Sequence, residues 1–248
     1  MANLARQASA RLLGFLMERH EWMFSKTKDG SRTFFDTNDY PWVSELEANV
    51  AVIQEELERV VLRRVDLVPN FQDVQEEQRT LTTDDRWKTF VFYGYGLRAE
   101  QNCLRCPNTT RLLQKIPGMT SAMFSILRGR KHIPPHRGPY KGVLRYHMAL
   151  RVPGPKGSCR IRVGPDTAAW EEGKSLIFDD THDHEAWNDT DENRVILFVD
   201  FLRPAPFPLS ATNAGIVKVI GRSPFIRQGL TNIQKWEADV GAEFDRKD

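Results

Sequence analysis

Short strand-like segments separated by turn residues make up most of the chain after Gly118, and this rhythm limits the fold more than any other feature. The segments lie at 121–128, 143–152, 159–163, 175–178, 183–187 and 194–202. The turns between them include Pro134-Pro135, Gly138-Pro139, Pro153-Gly154-Pro155 and Gly164-Pro165. Short strands at close intervals with such turns are typical of antiparallel sandwiches and jelly rolls. The sequence therefore predicts a mostly β fold with peripheral helices and a jelly-roll core.

Helices are expected around this core. The strongest pattern covers 41–64, where apolar residues recur at spacings of three and four, and its charged residues, Glu56 among them, are interpreted as a solvated surface. Weaker patterns predict helices at about 4–19 and at 107–116. We expect a helical extension over 1–35, a β-rich domain over 36–204 and a covering segment over 205–248.

Composition excludes several classes of protein. The 248 residues include 35 basic and 33 acidic side chains, a net charge of +2, so no global field favours nucleic acid. No apolar run approaches the roughly 20 residues that span a bilayer, which predicts no integral membrane segment. Three cysteines fit a reducing compartment, and we expect a cytoplasmic protein. Cys103 and Cys106 form a C-x-x-C pair without two further ligands at matching spacing, and their role stays open.

Histidines and arginines are concentrated in the strand-like region. In 143–150, Arg145, His147 and Ala149 share one face of a predicted strand, and the even-numbered residues 144, 146, 148 and 150 share the other. Five of the six histidines lie at His132, His136, His147, His182 and His184. Arg194 begins an almost wholly apolar strand. Together these residues indicate a metal site with anion-binding arginines beside it.

Two histidines with open coordination positions suit a non-haem Fe(II) oxygenase, which usually has a carboxylate as third ligand. The carboxylate expected two residues after His136 is absent, because that position is Gly138. Either Asp180 or Asp183 supplies the third ligand, or the site is a two-histidine dyad completed by water.

Several motifs, in order and with matching spacing, resemble the aspartyl/asparaginyl β-hydroxylase family. They are FSI (124–126), PPHRGP (134–139), LRYHMAL (144–150), WEEGKSLIFDD (170–180), HEAW (184–187) and the arginine ten residues after His184. The resemblance covers about 34–204 and suggests a bacterial-type soluble member. It implies a cupin-like double-stranded β-helix and an Fe(II)- and 2-oxoglutarate-dependent dioxygenase that uses O2 to hydroxylate an unactivated C–H bond, releasing succinate and CO2.

Matched position by position, the resemblance implies a role for each site residue. His136 and His184 would bind Fe(II). Arg194, helped by Ser125, would pair with the distal carboxylate of 2-oxoglutarate, because a guanidinium matches a carboxylate. Arg145 and His147 would lie beside this co-substrate.

The substrate stays open between a small molecule such as an amino acid, a peptide and an acyl lipid. In the peptide-hydroxylating branch an arginine stands two positions before the one matched by Arg145, and here that position is Val143. The LRYH motif also resembles the bacterial branch that acts on acyl chains. An alternative hypothesis is a catalytically silent jelly-roll binding module, and a zinc hydrolase on the same fold is a third.

Overall fold

The structure, a computed structural model, describes residues 2–246, apart from the side chains of residues 2–10, 12, 77, 78 and 225. Its α-helices are α1 (Ala2–Ser25), α2 (Trp42–Ala48), α3 (Val50–Glu56), α4 (Phe71–Val74), α5 (Glu100–Arg105), α6 (Pro107–Leu113), α7 (Leu209–Gly221) and α8 (Pro224–Phe244). Short 3-10 helices lie at Thr37–Asp39, Leu62–Arg64 and Glu76–Thr80, and a π-helical turn lies at Leu57–Val61.

The strands are β1 (Phe34–Phe35), β2 (Trp87–Gly94), β3 (Leu97–Arg98), β4 (Met119–Leu127), β5 (Lys131–His136), β6 (Val143–Arg151), β7 (Cys159–Val163), β8 (Asp166–Ala169), β9 (Ser175–Phe178), β10 (His184–Asn188) and β11 (Arg194–Leu202). They form a seven-stranded sheet in the order β1-β9-β6-β11-β4-β2-β3 and a four-stranded sheet in the order β5-β10-β7-β8. Neighbouring strands in both sheets pair antiparallel. This confirms the predicted mostly β, jelly-roll class of fold.

One hydrophobic cluster joins the inner faces of the two sheets. It includes Met123 and Phe198 from the large sheet and Ile161 and Ala186 from the small sheet. Because successive side chains of a strand point to opposite faces, the same strands present a second apolar face outward. The sheets therefore enclose a core between them and carry another on the outside of the large sheet.

The outer face of the large sheet is covered by helices. The even-numbered residues of β6, among them Leu144 and Tyr146, belong to a cluster with Leu46 and Ile53 of α2 and α3. Burial of these side chains contributes about 1.5–3 kcal/mol each relative to full exposure. Arg145, His147 and Ala149, which alternate with them, are thereby turned inward.

The helical pattern predicted over 41–64 is interrupted at Asn49, which lies between α2 and α3. Asn49 has φ −105° and ψ 14°, and its side-chain amide donates to the carbonyl of Glu45 at 2.8 Å. Asparagine competes for backbone hydrogen bonds in this way and favours helix ends. The pattern is therefore realised as successive short segments.

Glu56 departs from the solvated surface expected for the charges of this region. It is 2% exposed, and its carboxylate accepts from the backbone N–H groups of Asn108 at 2.9 Å and Thr109 at 2.8 Å. These groups belong to the first turn of α6, whose N–H donors have no partner within the helix. Glu56 thus fastens α3 to the N-terminus of α6.

The C-terminal segment forms two helices, which the sequence patterns did not reveal. α8 is fixed to the rest of the molecule by Trp236, whose Nε1 donates to the carbonyl of Leu67 at 2.7 Å, and by Asn232, whose amide donates to the carbonyl of Val74 at 3.1 Å. Among residues 2–246, each helix is too short or too polar to cross a bilayer.

Candidate active site

A cavity of about 290 Å³ lies between the two sheets. Its lining includes all six side chains that sequence reasoning selected, namely Ser125, His136, Arg145, His147, His184 and Arg194. They come from β4, β5, β6, β10 and β11, so both sheets contribute. The fold therefore brings together residues that are as much as 69 positions apart, counted from Ser125 to Arg194.

His136 and His184 face each other across the pairing of β5 and β10. They are direct partners in the register, and their ring centroids are 4.0 Å apart. The Nδ1 atom of His136 lies 2.8 Å from the carbonyl of Pro134, and that of His184 lies 3.0 Å from the carbonyl of His182. Since a carbonyl can only accept, each Nδ1 carries the proton and each Nε2 keeps a free lone pair.

Both histidines are held in the neutral form. Burial lowers the pKa of His136 below its ordinary value. Burial and the neighbouring His136 lower the pKa of His184 to about 3. A metal ion binds neutral imidazole, so neither ring has to lose a proton near neutral pH before it can coordinate one.

The carboxylates considered as a third ligand are engaged elsewhere. Asp183 pairs with Arg162 at 2.7 Å, and Asp180 pairs with Arg145 at 2.8 Å. In the described part of the chain, no group of three His, Cys, Asp or Glu side chains is arranged to hold a metal ion. Of the two sequence hypotheses, this arrangement favours the two-histidine dyad.

Gly138 lies against the buried carboxylate of Asp180. A Cβ atom at position 138 would be 2.1 Å from Oδ2 of Asp180, far inside van der Waals contact. The backbone N–H of Gly138 also donates to the carbonyl of Asp180 at 2.7 Å. The space that a carboxylate side chain at position 138 would need is therefore filled by Asp180.

Arg145 already has counterions within the protein. Its Nε donates to Asp200 at 2.9 Å, its Nη2 lies 2.8 Å from Asp180, and its guanidinium stacks 4.3 Å from the ring centroid of Phe198. Burial raises the pKa of Asp180 to about 6 although Arg145 lies beside it. Sequence reasoning missed Asp200, although an aspartate inside the apolar run of β11 was a signal for it.

Arg194 has no ion pair with a carboxylate in the described part of the chain. It is 1% exposed, and no hydrogen-bond partner within residues 2–246 reaches its Nε or Nη1. Its guanidinium lies 4.5 Å from the ring centroid of Trp170. Burial lowers the pKa of Arg194 to about 10, so the group still carries its charge at neutral pH. A buried, unpaired cation is costly, and an anionic ligand would compensate it.

Further polar groups without partners surround Arg194. In the described chain, the indole Nε1 of Trp170 and both ring nitrogens of His147 are buried and lack hydrogen bonds. Burial and the charges of Arg145 and Arg194 hold the pKa of His147 well below its ordinary value. Ser125 is 2% exposed and accepts from Trp87 Nε1 at 3.0 Å, which leaves its hydroxyl hydrogen free to donate. Sequence reasoning missed both tryptophans, although Trp170 opens a quoted motif.

Two other histidines of the sequence cluster do not line this cavity. His132 stacks on Trp187 with ring centroids 5.0 Å apart and lies 2.8 Å from Glu185. His182 is half-buried beside Gly164. Val143 also lies outside the cavity lining, because it packs with Ile216 of α7 in a separate apolar cluster.

Comparisons with known proteins agree with this architecture. Residues 47–204 match the family described as Aspartyl/Asparaginyl beta-hydroxylase. The chain is 48% identical over 218 residues to the ornithine lipid ester-linked acyl 2-hydroxylase of Rhizobium tropici, covering 88% of this chain and 77% of that protein.

The chain is also 38% identical over 137 residues to the human aspartyl/asparaginyl beta-hydroxylase, covering 53% of this chain but only 18% of that protein. It is 32% identical over 168 residues to the aspartate beta-hydroxylase domain-containing protein 2 of Xenopus tropicalis, covering 64% of this chain and 44% of the relative. These names support a hydroxylase. The chain belongs to the aspartyl/asparaginyl beta-hydroxylase family.

Proposed function

We propose that the protein is an Fe(II)- and 2-oxoglutarate-dependent dioxygenase that hydroxylates an unactivated C–H bond of an acyl-lipid substrate with O2, releasing succinate and CO2. One observation carries this proposal. The buried guanidinium of Arg194, whose Nε and Nη1 have no hydrogen-bond partner among residues 2–246, shares a cavity with two facing neutral imidazoles. A site of this composition fits a metal ion together with a small anion.

The histidine pair fits the metal. His136 and His184 would hold Fe(II) through their Nε2 atoms, because their Nδ1 atoms are committed to backbone carbonyls. Imidazole is a suitable ligand for iron, and a two-histidine site leaves several coordination positions for a bidentate co-substrate and oxygen. Bound iron and 2-oxoglutarate would supply the oxidising chemistry that the side chains of this chain lack.

The other end of the cavity fits the co-substrate. Arg194 would bind the distal carboxylate of 2-oxoglutarate as a two-pronged donor, with the Ser125 hydroxyl as a further donor. His147 and Trp170, which also have unused donor or acceptor atoms, would line the same space. Arg145 would lie beside the co-substrate while Asp180 and Asp200 balance its charge.

Apolar side chains would exclude water from the reaction. Phe178, Ile196 and Phe198 line the same cavity as the histidine pair and Arg194. They keep the local dielectric low, which strengthens the charge pairing of Arg194 with a carboxylate.

An acyl lipid is the favoured substrate, with an amino acid or peptide as the alternative. The Rhizobium tropici relative, which is named as an acyl hydroxylase, covers most of the chain at 48% identity. Val143, where the peptide-hydroxylating branch has an arginine, is buried beneath α7 and offers no charge to an acidic side chain. The three cysteines are free thiols, which fits the proposed location in a reducing cytoplasm.

The proposal is tested by anaerobic titration of the metal-free protein with Fe(II) and 2-oxoglutarate, followed by visible absorption. Chelation of iron by the keto acid is expected to produce a weak metal-to-ligand charge-transfer band. Arg194→Ala should raise the 2-oxoglutarate concentration at half-saturation at least about tenfold, since a charge-assisted pair contributes roughly 1.5–3 kcal/mol. Arg130→Ala, which removes an exposed arginine paired with Asp191, is the matched control and should titrate like the wild type.

If folded protein shows no band, the dioxygenase proposal fails. The chain would then be a binding module on the same fold. Oxygen-dependent succinate formation that disappears in His136→Ala and in His184→Ala would distinguish the enzyme from such a module.

A further inference from the structure

Exposed apolar side chains are concentrated at two neighbouring helices. The described part of the chain has six large apolar side chains that are exposed, and five of them lie on α1, on α7 or in the turn before α7. These five are Phe15, Leu16, Trp22, Phe207 and Val219, of which Phe207 is 83% and Trp22 54% exposed. Grouped apolar side chains on a surface commonly mark a site of interaction with a protein or a membrane.

The packing of α1 separates a buried face from an exposed one. Leu13 and Met17 pack against the apolar cluster beneath α7, and Phe24 is fully buried. Successive residues of an α-helix are rotated by about 100°, so Phe15 and Trp22, two turns apart, project from the opposite side. The aromatic residues of this exposed side are therefore not required for the packing of α1 on the rest of the molecule.

The exposed side of α1 and that of α7 form one surface because the two helices lie side by side. His20 on α1 has its Nε2 atom 2.9 Å from the hydroxyl of Thr212 on α7. The backbone N–H of Thr212 donates to the carbonyl of Pro208 at 3.1 Å, and Phe207 directly precedes this proline. Phe207 therefore lies within one helical turn of the contact between the helices.

Basic side chains accompany the apolar ones. Arg11 and Arg19 on α1, Lys218 on α7 and Arg222 directly after α7 are exposed. None of these four groups pairs with a carboxylate among the described side chains. Glu18 is the one exposed acidic side chain of the two helices within the described residues. This surface is thus locally basic, although the net charge of the whole chain is only +2.

We call this surface the α1–α7 face; it comprises Arg11, Phe15, Leu16, Glu18, Arg19, Trp22, Phe207, Lys218, Val219 and Arg222. Aromatic side chains prefer the headgroup region of a bilayer, and arginine and lysine are attracted to anionic lipids. A second copy of the chain bound through the same face would instead bring its basic groups against those of the first. The charge of the face therefore favours an anionic membrane surface over a second copy.

The α1–α7 face adjoins a segment that lines the active-site cavity. Arg137 and Pro139 line the cavity and are exposed to solvent, which places their segment at its edge. This segment continues to Tyr140, whose hydroxyl donates to Asn213 of α7 at 2.8 Å. The amide of Asn213 donates in turn to the carbonyl of Gly142 at 2.7 Å. α7 thus fastens the edge of the cavity to the α1–α7 face.

We propose that the α1–α7 face binds the surface of a membrane that contains anionic phospholipid, and that the protein takes its acyl-lipid substrate from this surface. This inference rests on the proposed acyl-lipid hydroxylase function, for which it names the partner. An acyl lipid stays in a bilayer because its chains are removed from water there. Binding through a face beside the cavity holds the active site near the lipid, which raises the effective concentration of the substrate.

The test is co-sedimentation of the full chain with lipid vesicles. Vesicles of phosphatidylcholine with phosphatidylglycerol should bind the protein at least about tenfold more tightly than vesicles of phosphatidylcholine alone, because each basic residue at an anionic surface contributes about fivefold. Raising the salt concentration from about 0.1 M to about 1 M should weaken this binding, since salt screens exposed charges. Equal binding to the two kinds of vesicle, or no binding to either, overturns the inference.

Substitutions on the face test its apolar part. The double variant Phe15→Ser with Trp22→Ser should bind the anionic vesicles at least about tenfold more weakly, because two aromatic side chains no longer leave water on binding. Leu104→Ser is the matched control, since it removes a side chain of α5 that is also exposed but lies outside the face. An equal loss in the control, or no loss in the double variant, contradicts the proposal.

A gain of binding tests the charge of the face, because misfolding cannot produce a gain. Glu18→Lys replaces the acidic residue of the face and should strengthen binding to the anionic vesicles at least about fivefold. Glu55→Lys makes the same change at an exposed position of α3 and should bind like the wild type. If both variants gain equally, net charge and not this face controls the binding, and the inference fails.

Two further measurements separate the possible failures. A stable dimer in sedimentation velocity that the double variant dissociates, together with no vesicle binding, would mean that a second copy covers the face. Vesicle binding requires neither Fe(II) nor 2-oxoglutarate. A wild type that shows the charge-transfer band but does not bind vesicles therefore refutes the docking surface alone, whereas one that binds vesicles without the band refutes the dioxygenase proposal alone.

Discussion

Two arginines in the same cavity differ in whether the protein itself satisfies their charge. Arg145 is held by Asp180 and Asp200. The charge of Arg145 is therefore already balanced by carboxylates of the protein. Arg194 is buried against the face of Trp170, and its Nε and Nη1 atoms have no hydrogen-bond partner among residues 2–246. The second arginine leaves binding capacity for an anion, and this contrast is the reason why we propose Arg194 as the group that binds the co-substrate.

The need for glycine at position 138 depends on a neighbouring side chain, the Asp180 carboxylate. Because a Cβ at position 138 would overlap the Asp180 carboxylate, Gly138→Ala should destabilise the protein by about 1–3 kcal/mol, the usual cost of overpacking. In an Asp180→Ala background the same substitution should cost less, since the clashing oxygen is gone. Chemical denaturation of the two single variants and the double variant measures this coupling.

Gly215→Ala is the control for this experiment. Gly215 lies within α7 with nothing within 4 Å of a Cβ, so alanine there should stabilise the helix by up to about 1 kcal/mol. Equal costs of Gly138→Ala with and without the Asp180 carboxylate would show that the glycine is needed for another reason.

At the scale of elements, strand pairing brings the active-site residues together. The helices that pack on the outer face of the large sheet, joined by a helix cap, fix the orientation of the strands. β6 turns Arg145 and His147 inward because its apolar residues pack beneath α2 and α3. α3 in turn is joined to α6 through the buried carboxylate of Glu56. The orientation of the active-site residues therefore depends in part on contacts made on the opposite face of the sheet.

Glu56→Ala should lower the free energy of unfolding by about 2–4 kcal/mol, because it leaves buried N–H donors of α6 without partners. Glu55→Ala, at the adjacent exposed position, should change it by less than about 0.5 kcal/mol. Urea denaturation followed by circular dichroism compares the two variants. A cost for Glu56→Ala no larger than that for Glu55→Ala would mean that water replaces the cap.

At the scale of the whole molecule, the fold encloses the charge of Arg194, which a bound anion would compensate. Natural proteins commonly trade stability for function in this way. Arg194 is 1% exposed, and its desolvation is a cost to the entire fold. Binding of 2-oxoglutarate should therefore stabilise the molecule through the same group that destabilises it when unbound.

Arg194→Met should leave the metal-free protein as stable as the wild type or more stable by about 1–4 kcal/mol, as seen when buried charges are replaced by apolar groups. The wild type with Fe(II) should gain about 2.7 kcal/mol when 2-oxoglutarate is present at 100 times its dissociation constant, and the variant should gain far less. Anaerobic thermal unfolding with and without 2-oxoglutarate measures both effects. A marked loss of stability in metal-free Arg194→Met would show that the arginine is structurally satisfied.

From the sequence alone, patterns within single segments determined the class of fold, the faces of the strands and the family. The spacing of short strands predicted the jelly roll, and the alternation around Arg145 and His147 predicted that these two side chains share one face of a strand, because a strand repeats every two residues. The motifs around His136 and His184 identified the family, which the family match confirms. Such properties depend on neighbours along the chain, which a sequence displays directly.

Only the tertiary structure decided the features that depend on residues distant in sequence. Asp180 fills the space beside Gly138, Glu56 caps a helix that begins 51 positions later at Pro107, and Met123 lines both the cavity and a smaller pocket under α8. Each of these depends on how sheets and helices pack, because van der Waals overlap and desolvation act between atoms that are close in space. The pairing of Arg145 and the lack of hydrogen bonds at Nε and Nη1 of Arg194 belong to the same class, since the counterion of a buried charge is set by the fold around it.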